Sequence, residues 1–227
     1  MKRLFIIAVL LISATAAYAQ KYSTYYYQRA TLFEVLPVGK SDIIFLGNSI
    51  TDGCEWNELF ANPHVKNRGI SGDTSEGILD RLEPVIAGHP SKIFLMIGTN
   101  DLSRGISVDT VVENIGKIID RTAAESPSTL LYIQSILPVS AHFGMFAGHT
   151  SKGAEIREAN ERLRALAAEK GVVFIDLSRS FADPATGDMN LSYTNDGLHL
   201  KGQGYILWRD TVKPFVKESR SAYKKHL

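Results

Sequence analysis

The sequence predicts a three-layer α/β/α fold, a central, mostly parallel five-stranded sheet with helices on both faces. Three observations predict it. Short apolar runs recur along the chain, segments of helical period lie between them, and the loops leaving the runs are polar and carry glycine. Strands covered on both faces read as unbroken apolar runs, and parallel strands need a helical crossover to return. Such alternation is the pattern of an α/β sheet rather than of a bundle or a sandwich.

The elements follow in order. Residues 1–19 open with Lys2 and Arg3, continue through the apolar run Leu4 to Ile12, and end in Ala17-Tyr18-Ala19. That is the layout of a secretory signal peptide, and the run falls short of the ~20 apolar residues of a membrane span. No cysteine follows the cleavage site, so neither a lipid anchor nor any stable membrane anchor is expected. The chain is therefore expected to be exported, periplasmic or secreted, with residues 20–227 as one domain. The cluster Tyr22, Tyr25, Tyr26 and Tyr27 reads as an N-terminal segment packed onto that domain.

Ile43 to Leu46, Ile93 to Ile97, Leu130 to Ile133 and Val172 to Ile175 read as buried strands, with a weaker one near Val65 to Asn67. Asp73-Thr74-Ser75-Glu76 reads as an N-cap opening a helix that Pro84 kinks or ends. Val108, Val111, Val112, Ile115, Ile118 and Ile119 trace one helical face. Ile156, Leu163, Leu166 and Ala167 trace another, with Gly171 placed to terminate it. Tyr205, Trp208, Val212 and Val216 mark a last long helix.

Composition narrows the function. Apolar residues are 44% and charged residues 22% of the chain, ordinary values for a globular protein. The formal charge is +1, and losing Lys2 and Arg3 takes it to −1. Such neutrality gives no electrostatic reason to expect nucleic acid or an anionic membrane as partner. The single cysteine, Cys54, excludes an internal disulfide and a cysteine-rich metal site, and reads as a packed thiol. No phosphate-cradling or dinucleotide glycine loop is present, and no cofactor is expected.

In parallel sheets, ligands bind beyond the carboxyl ends of the strands. Four segments there are polar beyond what packing demands: Gly47-Asn48-Ser49-Ile50-Thr51-Asp52, Asn67 to Asp73, Gly98-Thr99-Asn100-Asp101 and Asp196-Gly197-Leu198-His199. Acyl transfer requires a serine whose proton a base can take, usually histidine, itself oriented by a carboxylate. It also requires donors already aimed at the developing oxyanion. Ser49, His199 and Asp196 can supply the first three groups. Backbone amides at the Ser49 turn, an unobstructed approach at Gly72 and the Asn100 amide can supply the donors.

These four segments, in this order, resemble the SGNH/GDSL hydrolase family, in its platelet-activating-factor acetylhydrolase-like and acetylesterase subgroup. The likeness runs from about Ser41 to about Trp208. It implies a flavodoxin-like sheet and a serine ester hydrolase. It also implies Ser49, Asp196 and His199 as triad, and the Ser49 amide, Gly72 and Asn100 as oxyanion hole. One departure stands beside the nucleophile: Asn48 occupies the family's usual aspartate position.

The expected substrate is a small-molecule or glycan ester, acetylated carbohydrate foremost. A lysophospholipase or thioesterase is the alternative within the same chemistry. A non-catalytic binder of acylated glycans is a second alternative, which loss of a triad or oxyanion residue would favour, and none is lost. Asn48, Trp56 and Phe143 are candidate pocket residues, and the stretch from Pro138 to Ser151 a candidate lid or acyl-side wall. Asp52, Asp73 and Asp101 read as helix caps rather than metal ligands, so no metal is expected.

Overall fold

Five strands bear out the alternating pattern in the computed structural model, which describes residues 20–227. They are β1 (Ile43–Gly47), β2 (Val65–Gly69), β3 (Lys92–Met96), β4 (Leu130–Gln134) and β5 (Val173–Ile175). Their order across the sheet is β2-β1-β3-β4-β5, and every pairing is parallel. Helices pack on both faces, giving the three layers expected. The expected signal segment, residues 1–19, lies outside the described residues. No helix of the described residues is long and apolar enough to cross a membrane.

Register sets the composition of each face, because successive side chains on a strand point oppositely. Phe45, Phe94 and Tyr132 are aligned across β1, β3 and β4. Their rings stack at centroid separations of 5.0 and 4.5 Å. Trp56 and Trp208, both fully buried, close over this ladder. Truncating a fully buried ring of that size to alanine costs about 3–5 kcal/mol. The opposite face presents Ile44, Ile93 and Leu131 in register. The helices Val108–Glu125 and Gly153–Lys170 form as their apolar spacing predicts, and Gly171, at φ +64°, ends the second.

The segment after β2 departs from expectation. Thr74, not Asp73, caps the helix Ser75–Asp80, accepting the Gly77 amide. Asp73 is buried and pairs instead with Arg81 at 2.8 Å. Pro84 neither kinks nor ends that helix. It sits in the first turn of a separate short helix, Glu83–Ile86, where its missing N–H costs nothing. A further helix, Thr24–Val35, precedes the sheet and packs Tyr26, Ala30 and Phe33 against Ile70. Tyr22, Tyr25 and Tyr26 tie this end of the chain to Asp80, Asp52 and the Gly77 carbonyl. The tyrosine cluster is thus packed onto the body as expected.

Candidate active site

The carboxyl ends of β1, β2 and β3 are adjacent, so the three loops that follow them converge. β1 delivers Ser49 as the first residue of the helix Ser49–Asp52. Asn48 caps that helix, its Oδ1 accepting the Ile50 amide at 3.1 Å. The helix is one turn long, and its last carbonyls are met from outside. The Trp56 indole N–H donates to the Thr51 oxygen, the Tyr205 hydroxyl to the Ile50 oxygen, and the Asn67 amide to the Thr51, Asp52 and Cys54 oxygens. A helix this short has little stability of its own, so these partners position the serine.

The segment 194–199 brings the other two groups to Ser49 from 150 residues away in sequence. His199 Nε2 lies 3.1 Å from Ser49 Oγ, and His199 Nδ1 lies 2.8 Å from Asp196 Oδ2. The second Asp196 oxygen accepts the amides of Leu198 and His199, both at 2.8 Å. Partial burial pushes the Asp196 carboxyl up, but those amides and the His199 ring outweigh it and hold it below its ordinary value. An ionised carboxylate can only accept, so it holds the proton on Nδ1 and leaves Nε2 free to take one from Ser49. The turn depends on Gly197, at φ +86°, where a Cβ would collide with the Ser140 carbonyl.

Gly72 follows β2 in the left-handed region, at φ +79°, with its carbonyl bound by Arg104 at 2.6 Å. Asn100 follows β3 and is buried. Its Nδ2 donates to the Asp73 carbonyl at 2.8 Å, and its Oδ1 lies 2.9 Å from His149 Nε2. A primary amide carries two N–H bonds, so one remains for a ligand. A cleft of about 600 Å³ opens beside Gly72, lined also by Lys21, Tyr22, Tyr25, Tyr26 and Arg104 but not by Ser49 or His199.

The three expected pocket residues make other contacts. Trp56 is a core residue with no exposed surface, sealed between Phe45 and Trp208, so it walls no pocket. Asn48 is buried with its side chain committed to the cap. Phe143 is half-buried against His142, and the aromatic ring at His199 is instead Phe146, edge-on at 5.1 Å. The three aspartates are not caps of their own helices. Asp52 accepts from Tyr25 and pairs with Arg29, Asp73 holds Arg81, and Asp101 reaches across to the amide and hydroxyl of Ser75. Asp101 thereby caps the helix Ser75–Asp80 from another loop. Among the described residues, no group of His, Cys, Asp or Glu is arranged to hold a metal ion. Cys54 is a packed thiol, pushed up to about 12 by burial.

Asn67, His149 and Phe146 take roles that the sequence reading leaves unassigned. Asn67 opens one of the four polar segments, and Phe146 and His149 lie within the stretch from Pro138 to Ser151 expected as a lid or acyl-side wall.

Residues 45–207 match the GDSL-like Lipase/Acylhydrolase family. The chain belongs to that family. As a GDSL-like acylhydrolase it is an ester hydrolase, and its likeness extends to named relatives. Human platelet-activating factor acetylhydrolase IB subunit alpha1 is 29% identical over 171 residues, covering 72% of this chain and 70% of its own length. A solved structure from Streptococcus pneumonia, described as a platelet activating factor protein, is 29% identical with a TM-score of 0.77, covering 85% of this chain and 92% of that one. An acetylxylan esterase of Geobacillus stearothermophilus shares the GDSL-like fold at 16% identity, with a TM-score of 0.65 over 81% of this chain and 98% of that one.

Proposed function

We propose that this acylhydrolase removes small acyl groups, acetyl above all, from carbohydrate through an acyl-enzyme on Ser49. The observation that carries the reading is the hydrogen-bonded line from Ser49 through His199 to Asp196, set where three strand-end loops converge. Ser49 Oγ attacks the ester carbonyl as His199 Nε2 takes its proton, and the carbonyl π pair moves to the oxyanion. The Ser49 and Gly72 amides and the free N–H of Asn100 receive that charge. The tetrahedral intermediate collapses, the bond to the alcohol oxygen breaks, and His199 returns the proton to the departing alcohol. Water then attacks the acyl carbon, giving a proton to His199 that passes to Ser49 as the acid leaves.

Two observations support the substrate class. The relative named for acetyl hydrolysis supports a short acyl group. The cleft beside Gly72 supports a polar alcohol, because Tyr25 offers a half-exposed ring and Arg104, Lys21 and Ser71 offer polar contacts. Aromatic faces with polar edges suit a sugar ring better than an alkyl chain. Export, expected from residues 1–19, would place the enzyme among periplasmic or external glycans.

A lipid-type ester is favoured by one observation: Phe146 stands exposed beside His199, next in sequence to the exposed Met145, and could hold a longer acyl chain. A p-nitrophenyl ester series decides between them. Serine-dependent turnover should fall steeply beyond acetyl or butyryl, and turnover that rises with chain length would transfer the proposal to a lysophospholipase or thioesterase. Folded protein that turns over no ester but binds acylated glycan would leave a binding module. Asn100→Ala should lower kcat by about 10²–10³-fold, as loss of one oxyanion donor does elsewhere. An unchanged kcat would remove Asn100 from the hole.

A further inference from the structure

We propose that His149 is a positioning residue for the oxyanion hole, holding the Asn100 amide in the one orientation that offers its free N–H to the substrate. The inference rests on the esterase reading of Ser49. Asn100 is buried, and a buried amide can sit in either of two orientations related by a flip. Here both ends are specified. Nδ2 faces the Asp73 carbonyl oxygen, which can only accept, and Oδ1 faces His149 Nε2. An amide oxygen also only accepts, so His149 must present Nε2–H and leave Nδ1 unprotonated. A flipped Asn100 would set oxygen against the Asp73 oxygen and NH2 against Nε2–H. Both contacts would repel, and only a shift of the His149 proton to Nδ1 would relieve the second. Without His149, only one of those contacts would still oppose the flip, and the buried oxygen would lose its donor.

Geometry around His149 indicates a built arrangement rather than a chance contact. The residue lies on the short helix Ala147–Thr150, half-buried, with its ring edge-on to Phe146 at 6.1 Å. The Phe146 ring also meets the His199 ring at 5.1 Å, so one aromatic side chain contacts both histidines. Phe146 adopts φ +49°, a left-handed conformation that costs a bulky residue of order 1 kcal/mol or more and persists where surrounding contacts hold it. Burial, and after it the nearby His199 and Arg104, keep the His149 ring below its ordinary value and hence neutral. A neutral ring can still donate from Nε2. The other histidine of this loop, His142, is exposed and lies against Phe143.

The test is a double-mutant cycle with Asn100, read as kcat and KM on p-nitrophenyl acetate. His149→Ala should lower kcat about tenfold with KM little changed, a size in the range for partners that orient a catalytic ligand. His149→Gln, whose amide can donate to the same oxygen, should regain most of the loss. In an Asn100→Ala background, His149→Ala should cost nothing further. A wild-type kcat in His149→Ala, an equal loss in both backgrounds, or a glutamine variant no better than alanine would each overturn the proposal. Thermal unfolding of the glutamine variant shows whether the loop remains folded. Nitrogen-15 NMR of His149 reads the tautomer without turnover. An Nδ1–H ring would overturn the assignment, and an Nε2–H ring would uphold it even if no ester were hydrolysed and the esterase reading failed.

Discussion

Ser49→Ala is expected to lose about 10⁴–10⁶-fold in kcat while the protein stays folded. The two halves of that expectation have separate causes. The Ser49 hydroxyl has one partner among the described residues, His199 Nε2, so removing it breaks no bond that holds the loop. The helix it begins is capped by the Asn48 side chain, and its end is held by Trp56, Asn67 and Tyr205. Alanine is compatible with that first helical position. What disappears is the nucleophile, and the residual rate reflects the oxyanion donors and substrate binding alone. Kinetics on p-nitrophenyl acetate beside a thermal unfolding curve check both halves. A variant that retains wild-type kcat would remove Ser49 from the chemistry.

Asp196→Asn carries the next largest effect, a loss of about 10³–10⁴-fold in kcat with a small change in KM. The local bonding dictates which way the new amide faces. Asp196 Oδ1 accepts two amides, from Leu198 and His199, and only an oxygen can do so. The asparagine NH2 must therefore occupy the Oδ2 place, against His199 Nδ1. A donor there forces Nδ1 to accept, which moves the ring proton to Nε2 and aims it at Ser49. The base is then in the wrong tautomer in an otherwise undisturbed site. Retention of more than a tenth of wild-type kcat would show that the backbone alone orients His199.

Much of this arrangement was legible in the sequence, and the reasons differ by element. β1, β3 and β4 announce themselves because covered strands are apolar at every position, as Ile43 to Leu46 shows. β2 was the weakest signal because Lys66 and Asn67 lie half-buried at the sheet's edge. Ser49 and Asn100 stood out as polar residues close to glycine at a strand end, and Asp196 and His199 as an acid and a base three residues apart around Gly197. The helix Thr24–Val35 did not stand out, since its buried positions are Tyr26, Ala30 and Phe33, and two of these are weak apolar markers. Trp56 was misread for a physical reason. An indole near a nucleophile can wall a pocket or fill a core, and only its burial and its bond to the Thr51 carbonyl decide. Asp73 was misread because its partner Arg81 lies eight residues on, beyond the reach of a capping pattern.

The segment from Pro138 to Ser151, long enough to suggest a lid, is fastened to the very turn that carries the base. The Ser140 amide donates to the Gly197 carbonyl at 2.9 Å, and the Met189 amide to the Val139 carbonyl at 3.1 Å. A flap hinged there could not swing away alone, because lifting Ser140 would pull on Gly197, two residues from His199. The position of the base and the conformation of this loop are thereby coupled: a shift at Ser140 is passed through one hydrogen bond to the turn that holds His199.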